Sequence, residues 1–113
     1  MKKLFFLSLF FVALIAKSND SLLAVLDTSQ NLEVKLKALN SLAWSYRSTN
    51  IKKADSLANL ALDLASTDEY ESEYANALNT LGVIDLMQGR MDEGAEKLEK
   101  CAAALARSLT VAL

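Results

Sequence analysis

From Leu32 onward, apolar residues recur at steps of three and four, the spacing of one helix face. Leu32, Leu36, Leu39, Leu42 and Tyr46 form the first such stripe and predict a helix over residues 32–47. Ser48-Thr49-Asn50 reads as a turn, with Asn50 as the N-cap of the next helix. That helix, over 51–65, carries Ala54, Ala58, Ala61 and Ala65 on one stripe, flanked by Leu57, Leu60 and Leu64. Alanines at this spacing let two helix backbones come close. Ser66-Thr67-Asp68-Glu69 is a second turn, and Ser66 with Glu69 matches a capping box. A helix over 70–88 follows, with Tyr74, Leu78, Leu81 and Ile84 facing inward, stopped by Gly89 in a left-handed conformation. The last helix, over 91–108, places Gly94, Leu98, Cys101 and Leu105 on one face. Ahead of all these, Leu22, Leu23, Val25 and Leu26 predict a short leading helix over 20–26, broken by the polar run from Asp27 to Asn31. No stretch alternates with period two for long enough to form a strand, so the fold class is all-α.

The first 18 residues follow a different rule. Met-Lys-Lys precedes an apolar run from Leu4 to Ala16, interrupted only by Ser8, and Ala16-Lys17-Ser18 closes it. A positive start, a short apolar stretch and a small-x-small end make up a secretory signal peptide. The run is shorter than the roughly 20 apolar residues of a membrane-spanning helix. Residues 1–18 are therefore read as a signal cleaved after Ser18, and residues 19–113 as the domain. The expected location is secreted or periplasmic, with no stable membrane insertion once the signal is removed.

Composition narrows the chemistry. Taking Lys2, Lys3 and Lys17 from the twelve basic residues leaves nine against fourteen acidic, a formal charge of −5 for residues 19–113. That balance is a poor match to nucleic acid. The run Asp68, Glu69, Glu71, Glu73 reads as a solvated first helical turn favoured by the helix dipole, rather than as a cation site. The chain has no histidine, the commonest general base and metal ligand. Cys101 is the single cysteine and is read as a small core residue. Nothing pairs a nucleophile with a base, clusters metal ligands or builds a glycine-rich phosphate loop. The reading is a non-enzymatic protein with no cofactor and no metal.

An internal repeat adds architecture. Ala38-Leu39-Asn40-Ser41-Leu42-Ala43 matches Ala77-Leu78-Asn79-Thr80-Leu81-Gly82 with four identities and two conservative changes. Each segment lies in the first helix of a pair, and each pair ends in a helix rich in small residues. The second unit resembles a tetratricopeptide repeat: Leu78 and Leu81-Gly82 stand in the first-helix positions, and Gly89 and Asp92 in the turn. Gly94, Leu98 and Cys101 stand in the second helix. In the first unit, Leu39, Leu42, Ala43 and Tyr46 match the first helix, and Ala54, Ala58 and Ala61 the second. Asp85 stands where the family carries an aromatic, and Ala106 where it carries a closing proline. The units are 39 residues apart in the first helix and 40 in the second, longer than the family's roughly 34. The resemblance covers residues 32–108 and implies a helical-hairpin solenoid of about two repeats plus the leading helix.

In that family the first helix of each pair lines a concave groove that holds the ligand. The resemblance places Lys37, Asn40, Trp44 and Arg47 in the groove from the first unit, and Asn76, Asn79, Val83 and Met87 from the second. Asparagine both donates to and accepts from a peptide backbone, and tryptophan is a common interface anchor. The expected partner is a protein or peptide, bound outside the cytoplasm. The alternative is the N-terminal sensor module of a longer bacterial sensor kinase or transcription regulator. The last helix ends in Ala102 to Ala106, Leu109 and Val111 to Leu113, an apolar end where a terminal repeat is normally polar. Self-association through this helix, or cover from residues beyond Leu113, is the expectation.

Overall fold

A computed structural model describes residues 23–28, 30–66 and 68–112. The expected signal segment and its cleavage point lie outside them. Among the described residues the fold is all helical, in five helices and one short 3-10 turn. Helix α1 covers residues 23–28, α2 Leu32–Tyr46, α3 Ile51–Leu64, α4 Glu71–Met87 and α5 Met91–Ala112. No described helix is long and apolar enough to cross a membrane.

The helix starts follow from side-chain chemistry. Asn31 Oδ1 accepts from the Glu33 and Val34 amides and opens α2. Asn50 accepts from the Lys53 amide and opens α3. The start of α4 departs from expectation. Asp68–Tyr70 forms the 3-10 turn, Tyr70 caps α4 without a side-chain hydrogen bond, and Ser66 Oγ donates back to the Asp63 carbonyl at 2.8 Å. The capping box of Ser66 and Glu69 is not made, because the 3-10 turn moves the helix start beyond the reach of Ser66. The leading helix also runs on through Asp27 and Thr28, whose hydroxyl donates to the Ala24 carbonyl at 2.7 Å. The last helix continues past residue 108 to Ala112, since Leu109, Thr110 and Val111 contain no breaker.

The core lies where the stripes meet. Ala54, Ala58, Ala61 and Ala65 are fully buried, so α3 lies close against its neighbours. Leu36 and Leu39 of α2, Ala61 and Ala65 at the end of α3, and Ala77 of α4 form one cluster, with Leu26 of α1 against it. Ala43, Ala58 and Leu81 form a second. Ala75, Leu78, Cys101 and Ala104 join α4 to α5. Here Ala104 takes the place expected of Leu105, which is exposed: the buried stripe of α5 continues from Cys101 by a step of three instead of four. Gly82 and Gly94 face each other across this pair. A Cβ on Gly94 would stand 2.9 Å from the Gly82 carbonyl oxygen, and one on Gly82 would stand 2.9 Å from Leu98 Cγ.

The α4–α5 turn is a Schellman motif. Gly89 has φ 82°, its amide donates to the Leu86 carbonyl at 3.1 Å, and the Arg90 amide donates to the Asp85 carbonyl at 2.8 Å. A hydrophobic contact usually accompanies this motif. Here Arg90 reaches the Asp85 carboxylate instead, at 2.6 Å from Nη2 and 3.0 Å from Nε, and Lys97 of α5 pairs with the other oxygen. Asp85 thus ties the turn and α5 to α4.

Burial alone would raise the Asp85 carboxyl, but hydrogen bonds from Lys97 and Arg90, with their charges, outweigh it and hold the group below the ordinary aspartate range. A carboxylate depressed in the folded state stabilises above its unfolded pKa, and that contribution is lost as pH falls through the folded value. Asp85→Asn should therefore cost about 2 kcal/mol at neutral pH, and the gap from the parent should narrow in acid. Denaturant midpoints followed downward from pH 7 measure this: the gap should begin to shrink below about pH 4 and go on shrinking as the folded carboxyl takes up its proton, and a gap that stays constant throughout would show that the side chain acts by shape and not by charge.

Candidate functional site

Helices α2 and α4 run along a shared cleft of about 510 Å³. From α2 come Lys37, Asn40, Ser41 and Trp44, and from α4 come Glu73, Asn76, Asn79 and Thr80. Steps of three and four on both helices put these side chains on facing stripes. A second cleft of about 490 Å³ adjoins it, lined by Asn31, Glu33, Glu69, Tyr70, Glu71, Ser72, Glu73 and Ser108. Glu73 lines both, and the α2 residues on their walls run from Glu33 in the second cleft to Trp44 in the first.

Of the eight groove positions expected from sequence, Lys37, Asn40, Trp44, Asn76 and Asn79 line the cleft. Arg47 stands behind Trp44: its guanidinium stacks 3.7 Å from the ring centroid and donates to the Trp44 carbonyl at 2.7 Å. That contact orients the indole, which is 40% exposed. Val83, half-buried, and Met87, exposed, line neither cleft.

The two repeat-related asparagines differ in surroundings. Asn79 is half-buried on the wall, whereas Asn40 is buried and its amide nitrogen donates to the Glu73 carbonyl at 3.0 Å and to Glu73 Oε2 at 3.2 Å. This bond fastens the first turn of α4 to the middle of α2. Glu73 corrects the reading of the acidic run as solvated: it is buried under α2, and the neighbouring Glu71 accepts from Arg107 Nε at 2.8 Å. In the first turn of α4, both carboxylates are carried toward other helices instead of into water. Ser41 and Thr80 were not singled out in the sequence, although they occupy matched places in the repeat.

Among the described residues, no group of three or more histidine, cysteine, aspartate or glutamate side chains could hold a metal ion. Cys101 is buried in the α4–α5 core, and burial pushes its thiol up. The cleft presents amides, hydroxyls, one buried carboxylate and an indole, groups that recognise hydrogen-bonding partners. No family model, no curated protein and no solved structure matches this chain.

Proposed function

We propose that the protein is a non-enzymatic scaffold of tetratricopeptide type that binds a protein or peptide outside the cytoplasm. The observation that carries this reading is the cleft itself. It is lined by the equivalent stretches of two related segments: Asn40 and Ser41 of α2 and Asn79 and Thr80 of α4 all stand on its walls. Support for the solenoid comes from the order of two helix pairs, the buried alanine stripe of α3, and the Gly82–Gly94 approach in the second pair. The lysine-led apolar segment of residues 1–18 supports export.

A second reading, a sensor module within a longer signalling protein, is favoured by the outer face of α5. Leu105 is exposed there, and Leu109 is 69% exposed, a surface suited to a further helix. A second copy of the chain would fit the same face.

The test uses Trp44, the single tryptophan. Expressed in a bacterium, the protein should be recovered outside the cytoplasm without residues 1–18, as read by mass spectrometry. Its emission should shift on titration with members of a random peptide array. An exported chain that keeps Met1 would count against the signal, and array binding undisturbed by Trp44→Ala would count against this cleft.

A further inference from the structure

The floor of the α2–α4 cleft holds a buried acceptor without a hydrogen-bond partner, Asn40 Oδ1, beside a buried carboxylate, Glu73, whose side-chain partner is the Asn40 amide. Asn40 is 7% exposed and Glu73 8% exposed. The Asn40 amide nitrogen donates to Glu73 twice, to the main-chain oxygen and to Oε2. That fixes the amide orientation, since a flipped side chain would set Oδ1 against two oxygens. Oδ1 is left as a buried acceptor with no hydrogen-bond partner. Among the described residues, no lysine or arginine pairs with the Glu73 carboxylate. A buried acceptor left unmade and a carboxylate left uncompensated are both costly, and both sit in one cleft.

We propose that this spot receives a cationic side chain, the ammonium or guanidinium of a lysine or arginine in an extended peptide. The charged group pairs with the Glu73 carboxylate and, once seated, donates to Asn40 Oδ1. In the adjoining cleft Glu33 and Glu71 are paired with Lys37 and Arg107, and Glu69 adds a further negative charge. From Glu33 to Trp44 the two clefts follow eleven residues of α2, about 16 Å at helical rise, which matches roughly five residues of extended peptide. Two acceptors are too few for a divalent cation, which takes about six oxygens or more. Lys37 on the rim is held by Glu33 at 3.3 Å, and its charge opposes the incoming one. The inference rests on the peptide-binding reading above and names what that site selects.

The experiment uses four synthetic octapeptides of one alanine-serine sequence, with lysine, arginine, glutamate or norleucine at the centre. They are titrated into the full chain while Trp44 emission is followed. The lysine and arginine peptides should bind at least about ten-fold tighter than the other two. Glu73→Gln should abolish that preference, and Lys37→Gln should widen it several-fold. Equal affinity for all four would overturn the cationic inference and leave peptide binding standing. No response to any of them, in the parent or in Lys37→Gln, would overturn both. A preference that survives Glu73→Gln would overturn the assignment to this carboxylate. Should Glu73→Gln fail to fold by circular dichroism, Asn76→Asp places a carboxylate at an exposed wall position. It should tighten binding of the lysine and arginine peptides and not of the other two, and failure to do so would overturn the inference.

Discussion

Replacing Gly94 with valine should lower stability by about 2–3 kcal/mol, the largest loss expected from a surface-neutral change in helix α5. Its Cβ would stand 2.9 Å from the Gly82 carbonyl oxygen and 2.9 Å from Leu86 Cδ2. The leucine can rotate, but the carbonyl belongs to the backbone of α4, so the helices themselves must separate. Separation loosens the cluster of Ala75, Leu78, Cys101 and Ala104. Valine's better helix propensity returns only a few tenths of a kcal/mol. For a domain of this size the melting temperature should fall by about 10–20 °C. Gly82→Ala should be milder, because its Cβ meets mainly the Leu98 side chain. A Gly94→Val protein that melts with the parent would show that α4 and α5 do not approach so closely.

Leu36→Ala should cost about 3 kcal/mol. Leu36 is fully buried and belongs to the cluster in which α2, α3 and α4 meet. Ala61, Ala65 and Ala77 in its cluster cannot lean in, and the surrounding leucines and tyrosines fill only part of the void. Leu60→Ala is the matched control: Leu60 is exposed on α3, and its truncation should stay within about 0.5 kcal/mol. Chemical denaturation of both variants measures the contrast. Equal losses would mean that α3 presents a different face to the core.

The stripes that a helix period imposes were legible in advance. Ala54, Ala58, Ala61 and Ala65 are all buried, and Gly89 takes the left-handed conformation expected of it. Periodicity reports that a residue faces another helix, but not which atoms it meets there. That is why Asp85 was visible only as a departure from an aromatic position. Its partners, Arg90 and Lys97, are brought to it by the turn and by α5. The same limit hid Glu73. An acidic run suggests water, yet the rotation of α4 turns one of its carboxylates beneath α2. Leu105 was misplaced because a helix face continues by steps of three or four alike, and α5 buries Ala104, three residues after Cys101, rather than Leu105. Of the cleft, the asparagines and Trp44 were named from the repeat. Glu73 was not, since it lies before the repeated segment begins.

The substantial helix contacts are α2 with α3, α3 with α4, α4 with α5, and α2 with α4. Each joins helices that are adjacent in sequence or one removed. The loops to be closed during folding are therefore short, their entropic cost is small, and contact order is low, the condition under which chains fold fast. The same arrangement makes cooperativity a matter of neighbours. Helix α4 touches α2, α3 and α5, so its formation is the event on which the others condense. Helix α5 is held by α4 and can unravel from its far end without unseating α2 or α3. Fraying at the far end of α5 stays local, whereas a lesion in α4, or where α5 meets it at Gly94, reaches the second hairpin as a whole.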